Sequence, residues 1–174
     1  WIVDAAELEA GLAAAVRFAP HVTHVEGGAD AALQVLAEGR DSASRTRLGV
    51  GWTVHPYRQR GLAARLVSDR PHAGLARQWF RSPDVLALLP FDRPQAGHGY
   101  GLVWSLPDER AQELQQADVA TFEAALADAT QGAAGSLRLH GERASWPLTL
   151  AHAEAVCGPG WVLLGDAAHL VHPL

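Results

Sequence analysis

The stretch Trp161-Val162-Leu163-Leu164-Gly165-Asp166-Ala167-Ala168-His169, with Pro173 four residues further on, carries the strongest signal in the chain. Four apolar residues ending in Gly-Asp read as a short buried strand with a carboxylate at its carboxyl end. The carboxyl ends of strands are where open α/β sheets bind ligands. Gly165 lets a ligand approach the backbone, and Asp166 can accept hydrogen bonds from sugar-like hydroxyls. A second reading of the same spacing makes Asp166 the cap of a helical turn.

More than a hundred residues earlier comes Glu38-Gly39-Arg40-Asp41-Ser42-Ala43-Ser44-Arg45. It follows a strand expected over Ala32 to Ala37 and should close in a short helical turn before Gly49. An acidic-Gly turn followed by a hydroxyl and an arginine has the donors to cradle a nucleotide's phosphates and ribose. Such turns are also ordinary loop chemistry.

Around these two segments the pattern is mixed α/β. Asp4 reads as the N-cap of a helix to about Arg17, with Leu8, Leu12, Ala15 and Val16 at helical spacing. Val22 and Val25 suggest a short strand over His21 to Glu26, and Gly27-Gly28 a hairpin turn. The middle is β-rich, with strands expected at Leu62–Val67, Leu75–Phe80, Val85–Leu89 and around Tyr100, Leu102 and Trp104, mostly antiparallel. Val85–Leu89 is continuously apolar, as a strand buried on both faces would be. Pro107-Asp108-Glu109 starts one helix, and Asp118 starts another whose apolar face is Val119, Phe122, Leu126 and Ala129. Leu137 to Trp146 should be a strand broken by Pro147. The helix over 4–17 and the strand over 161–164 should share a layer, with the antiparallel strands in a second.

Composition excludes several classes of function. Of 174 residues, 48% are hydrophobic and 19% charged, which rules out wholesale disorder. A net charge of −5 argues against a nucleic-acid partner. The single cysteine, Cys157, has no internal partner, which fits a reducing, cytoplasmic setting. No apolar run reaches membrane-spanning length. Methionine is absent even at position 1, so the chain reads as a piece of something longer.

In this order and separation, the two segments resemble those of class A flavin-dependent aromatic hydroxylases, most closely the ubiquinone-biosynthesis hydroxylases. That family carries Asp-Gly-x-x-Ser-x-x-Arg, matched by Glu38, Gly39, Ser42 and Arg45, then Gly-Asp-Ala-Ala-His followed by Pro, matched by Gly165 to His169 and Pro173. Between them, His72–Phe80, Val85–Pro90 and Leu102–Ser105 resemble the ubiquinone branch's substrate-domain strands. Trp146-Pro147-Leu148 resembles its strand returning to the flavin domain.

The resemblance implies an FAD-dependent monooxygenase, using NAD(P)H as reductant, that hydroxylates a ubiquinone precursor. It assigns Gly39, Ser42, Arg45, Gly165, Asp166 and Pro173 to the cofactor, with Asp166 on the ribityl chain, Pro173 beside the flavin ring and Gly39 and Arg45 on the pyrophosphate side. It assigns no residue as an acid-base or nucleophilic catalyst. Residues 1–51 and 146–174 would then be parts of an FAD-binding domain, and 52–145 a substrate-binding domain. A polyprenylated substrate implies contact with the inner membrane or a biosynthetic complex.

Two features depart from the family. No GxGxxG turn precedes Trp1 and no Gly-rich turn follows Pro173, so the chain alone should bind FAD weakly and be inactive. Glu38 also stands where the family has aspartate. Other readings are a hydroxylase of a small phenol or benzoate, or a cofactor-free module holding an apolar ligand or a protein. His169 and His172 with Asp166 lack the spacing of a metal site. Trp79, Phe80 and Trp104 fit either a substrate-facing surface or the core.

Overall fold

The computed structural model describes residues 2–27 and 29–172. Two sheets organise it. The larger has six strands: β2 (Trp52–Ser68), β3 (Arg77–Arg81), β4 (Asp84–Pro90), β5 (Gly99–Pro107), β6 (Leu137–Ala153) and β9 (His169–Leu170). Their order is β3-β4-β5-β2-β6-β9, antiparallel throughout. The smaller joins β1 (Gln34–Leu36), β8 (Trp161–Leu163) and β7 (Cys157–Gly158) in the order β1-β8-β7.

Period-2 patterning decides which side of the large sheet is covered. Leu62, Ala64 and Leu66 of β2 pair with Trp104, Leu102 and Tyr100 of β5, all on one face and all buried. Helices α3 (Asp108–Gln116) and α4 (Val119–Thr130) close over that face through Ala111, Leu114, Phe122 and Leu126. Each fully buried side chain of this size contributes roughly 1.5–3 kcal/mol. The alternating residues Gly61, Ala63 and Arg65, paired with Ser105, Val103 and Gly101, form the opposite face. A second, smaller core of Ala153, Leu163, Ala167 and Ala168, flanked by Leu36, Val50 and Trp52, sits beneath the small sheet.

Several expectations hold. Asp4 caps α1 (Ala5–Val16) by accepting from the amides of Ala6 and Glu7, and Asp118 caps α4 by accepting from Thr121. Leu86, Ala87 and Leu88 of β4 are buried on both faces.

Others are corrected. Residues 21–26 form no strand: Val22 and Val25 stand three apart, so an extended chain would point them to opposite sides, and both stay exposed. The hairpin is therefore absent, and β1 instead pairs in parallel with β8, Leu36 opposite Leu163. Strand β6 runs unbroken through Pro147. It has no second neighbour there, since β9 covers only Ala151 and His152, so the missing proline N–H costs no ladder bond on that side. Val119 is exposed and lies off the buried face of α4. Finally, α1 is tied to the large sheet: Asp4 pairs with Arg65 at 3.0 Å and Glu7 with Arg93. It buries no residue of its own.

Candidate functional site

The parallel pairing of β1 with β8 brings the two glycine-bearing segments side by side. Each follows its strand at the same end, and the amide of Leu164 donates to the Leu36 carbonyl at 3.0 Å as the strands finish. Residues separated by more than a hundred positions in sequence thus share one sheet edge.

The first segment folds into a self-bonded buckle. The Glu38 carboxylate accepts from Ser42 Oγ at 2.7 Å, from the Ser44 amide at 2.8 Å and from Ser44 Oγ at 2.6 Å. Those three bonds, led by the Ser44 hydroxyl and aided by Arg47, hold its pKa down at about 2. Ser42 in turn caps α2 (Ala43–Arg47), its Oγ accepting from the Arg45 amide at 3.1 Å. Gly39 makes the turn with φ of 79°, a conformation other side chains rarely adopt.

Arg45 links the buckle to the second segment. Its guanidinium donates to the Ala167 carbonyl at 2.9 Å and to the Arg40 carbonyl at 2.8 Å, and lies 3.7 Å above the Trp52 ring. The residue is only 6% exposed, and Ser42 only 1%. Both side chains are engaged within the chain itself. Sequence reasoning found these residues but not their partners, because nothing in the local spacing points to a carbonyl this distant.

The second segment leaves β8 through a single 3₁₀ turn, Gly165–Ala167. Gly165 has φ of 58°, and a Cβ built on it would meet nothing within 4 Å, so the backbone faces open space. The residue preceding the turn is Leu164, and no side chain caps it. The capping reading of Asp166 is therefore overturned. Among the described residues its exposed carboxylate has neither hydrogen bond nor ion pair. Pro173 lies outside the described residues. Buried Ala167 and Ala168 anchor the turn, and the Ala153 amide donates to the Ala168 carbonyl at 2.8 Å.

The segment then reaches the large sheet. His172 Nε2 lies 3.2 Å from Ser105 Oγ on β5, and its ring meets Tyr57 edge-on at 5.2 Å. Of the three aromatics weighed for a substrate surface, Trp104 is buried in the main core, Trp79 packs against it and Phe80 is 73% exposed. The open face carries Trp146 instead, whose indole lies over Gly61. The described residues hold no group of three His, Cys, Asp or Glu side chains placed to bind a metal. None of their helices is long and apolar enough to cross a membrane.

This edge presents an exposed carboxylate without a partner among the described residues, beside an unobstructed glycine backbone, with a second positive-φ glycine turn adjacent.

No protein-family profile matches the chain. Individual proteins do. It is 31% identical over 144 residues to the ubiquinone hydroxylase UbiL of Rhodospirillum rubrum, covering 83% of this chain and 33% of that protein. It is 30% identical over 145 residues to the 3-demethoxyubiquinol 3-hydroxylase of Escherichia coli, covering 83% and 36%. The chain thus spans about a third of the length of the curated relatives it matches. Among solved structures, PqsL of Pseudomonas aeruginosa, described as a probable FAD-dependent monooxygenase, superposes with a TM-score of 0.65 at 22% identity, over 81% of this chain and 40% of that one. Aklavinone-11 hydroxylase, solved with FAD and aklavinone, gives 0.58 at 19% identity, over 80% and 26%. Homologues of the chain are ubiquinone hydroxylases, and its mixed α/β fold is part of the fold of flavin-dependent monooxygenases.

Proposed function

We propose that this homologue of the ubiquinone hydroxylases contributes the central part of an FAD-dependent, NAD(P)H-using monooxygenase that hydroxylates the aromatic ring of a ubiquinone precursor. The observation that carries the reading is Asp166. An exposed carboxylate with no partner among the described residues, next to an open glycine backbone, has no role in holding its own turn and can accept from the hydroxyls of a polyhydroxylated ligand in place of water. When bound, the flavin supplies the oxygen-transfer chemistry. This chain binds, orients and shields.

In that arrangement Asp166 takes the ribityl hydroxyls, and Gly165 and Gly39 leave room for the cofactor. Ser42 and Arg45 act indirectly, shaping the two loops, because their side chains are buried in bonds of their own. Residues 1–51 and 146–174 serve the flavin side and 52–145 the acceptor side. Strand β6 (Leu137–Ala153) crosses from one part into the other while paired with β2, so one continuous sheet relates them. The face of that sheet away from α3 and α4, with Gly61, Ala63 and Val103, is where an aromatic acceptor would lie. A polyprenylated acceptor would draw the whole protein to a membrane surface or a biosynthetic complex.

The test uses the complete open reading frame that contains these residues. Purified protein should retain flavin, oxidise NADH or NADPH faster when a phenol is present, and release a hydroxylated product detectable by mass spectrometry. Protein that takes up no flavin overturns the reading in favour of a binding module.

A further inference from the structure

We propose that Gln59 and Ser105 are positioning residues that fix the tautomer of His172 and so seat the segment leading out of Gly165-Asp166 on the acceptor side of the large sheet. The inference rests on the flavin-hydroxylase reading for what the seat is used for, but its geometry stands independently.

The donors and acceptors can be followed in one direction. Gln59 Nε2 donates to the Pro83 carbonyl at 2.9 Å, which turns Gln59 Oε1 the other way. Ser105 Oγ lies 3.0 Å from that oxygen, and since Oε1 can only accept, the serine's single proton is committed there. His172 Nε2, 3.2 Å from Ser105 Oγ, therefore has to donate. The ring therefore carries a proton on Nε2, directed at Ser105, the choice being set by the bond its neighbour makes. Ser105 is 1% exposed, so its hydroxyl is satisfied within the protein and not by bulk water.

The backbone is built for this contact. Strand β2 slips register between Pro56 and Gln59, and Arg58 takes a φ of 55° that a residue with a side chain seldom adopts. The irregularity lies beside Tyr57, which meets the His172 ring, and Gln59, which meets Ser105. The Gly-Asp segment is thus tied at both ends: at Ala167 by Arg45, and at His172 by Ser105. The first tie orients the cofactor edge. The second aligns that edge with the face on which the acceptor lies.

The experiment uses the complete open reading frame labelled with ¹⁵N-histidine, with His172→Gln identifying the His172 signals. Wild type should show the Nε2–H tautomer at His172, Ser105→Ala a mixture of tautomers, and Ser105→Thr the wild-type pattern. With 4-butylphenol as the acceptor probe, followed by tryptophan fluorescence, Ser105→Ala should weaken binding about tenfold and Ser105→Thr restore it, the size expected for one lost hydrogen bond. Should Ser105→Ala not fold, Gln59→Leu carries the same expectations. An Nδ1–H tautomer in wild type overturns the proposal. So does a changed tautomer with unchanged 4-butylphenol affinity, or a wild type that does not bind this phenol. Failure of the hydroxylase reading would appear separately, as wild-type protein that takes up no flavin.

Discussion

The guanidinium of Arg45 donates to the carbonyl of Ala167 across 122 positions of sequence, at 2.9 Å and inside the smaller core. This bond makes one site of two loops. Parallel pairing of β1 with β8 brings their strands together, but pairing alone leaves the loops beyond the strand ends free to diverge. Arg45 spans that gap with a planar group that also bonds the Arg40 carbonyl and stacks on Trp52.

Removing that group should be costly. Arg45→Ala leaves two carbonyls without their donor and empties space beside Trp52, a loss of about 2–4 kcal/mol. Arg45→Lys should recover only part of it, because an ammonium cannot reproduce the fork or the stacking. Urea denaturation of the three proteins measures this. An Arg45→Ala protein within about 0.5 kcal/mol of wild type, the range of an ordinary surface change, would show that the tie is incidental.

Glu38 makes the buckle pH-sensitive. Its pKa of about 2 in the fold lies below the ordinary glutamate value of 4.5, so the folded state binds this proton more weakly than the unfolded chain does. The stabilisation is therefore fully present above pH 4.5 and fades as pH falls towards 2. Glu38→Gln should lower stability at neutral pH and show a shallower decline than wild type across that acid window. Parallel urea midpoints for the two proteins across the window would contradict the assignment.

Much of this arrangement is legible in the chain because it is local. The caps at Asp4 and Asp118, the two-sided burial of β4 and the strand–Gly-Asp segment each depend on residues within a few positions. What escapes is set by distant partners. The first half of β2, from Trp52 to Arg60, alternates only briefly before Pro56-Tyr57-Arg58-Gln59-Arg60 interrupts the pattern, and pairing with β6 makes it a strand. Nothing near Leu36 announces a parallel neighbour at Leu163. At the site, Ser42 and Arg45 stand out as residue types suited to an anion, yet folding directs both inward. Gln59, Ser105 and His172 give no signal individually; only the sheet register assembles them.

Gly61 tests the open face. A Cβ there would fall 2.8 Å from Trp146 Cε2 and 2.9 Å from Cζ2, so the indole must move. Gly61→Ala should destabilise by about 1–3 kcal/mol, as overpacking does. In a Trp146→Ala background the same change should be nearly neutral, since the clash is gone. Additive effects in the double-mutant cycle would mean that the two residues do not meet as described.

Asp166 separates ligand chemistry from fold chemistry most directly. Its turn begins at Leu164 without a side-chain cap, and the carboxylate has no partner among the described residues. Asp166→Ala and Asp166→Asn should therefore melt within about 0.5 kcal/mol of wild type in the apoprotein. In the complete open reading frame the effect on flavin should be large. A hydroxyl bonded to an ionised carboxylate contributes roughly 1.5–3 kcal/mol, so Asp166→Ala should weaken FAD binding about 10–150-fold. Asp166→Asn should fall between, because the amide keeps an acceptor oxygen but loses the charge. Titrating FAD into the three apoproteins gives the affinities, and thermal melts without flavin give the stabilities. A lower melting temperature with unchanged FAD affinity would return Asp166 to a structural role, whereas unchanged melting with weakened binding identifies a residue whose partner is the cofactor.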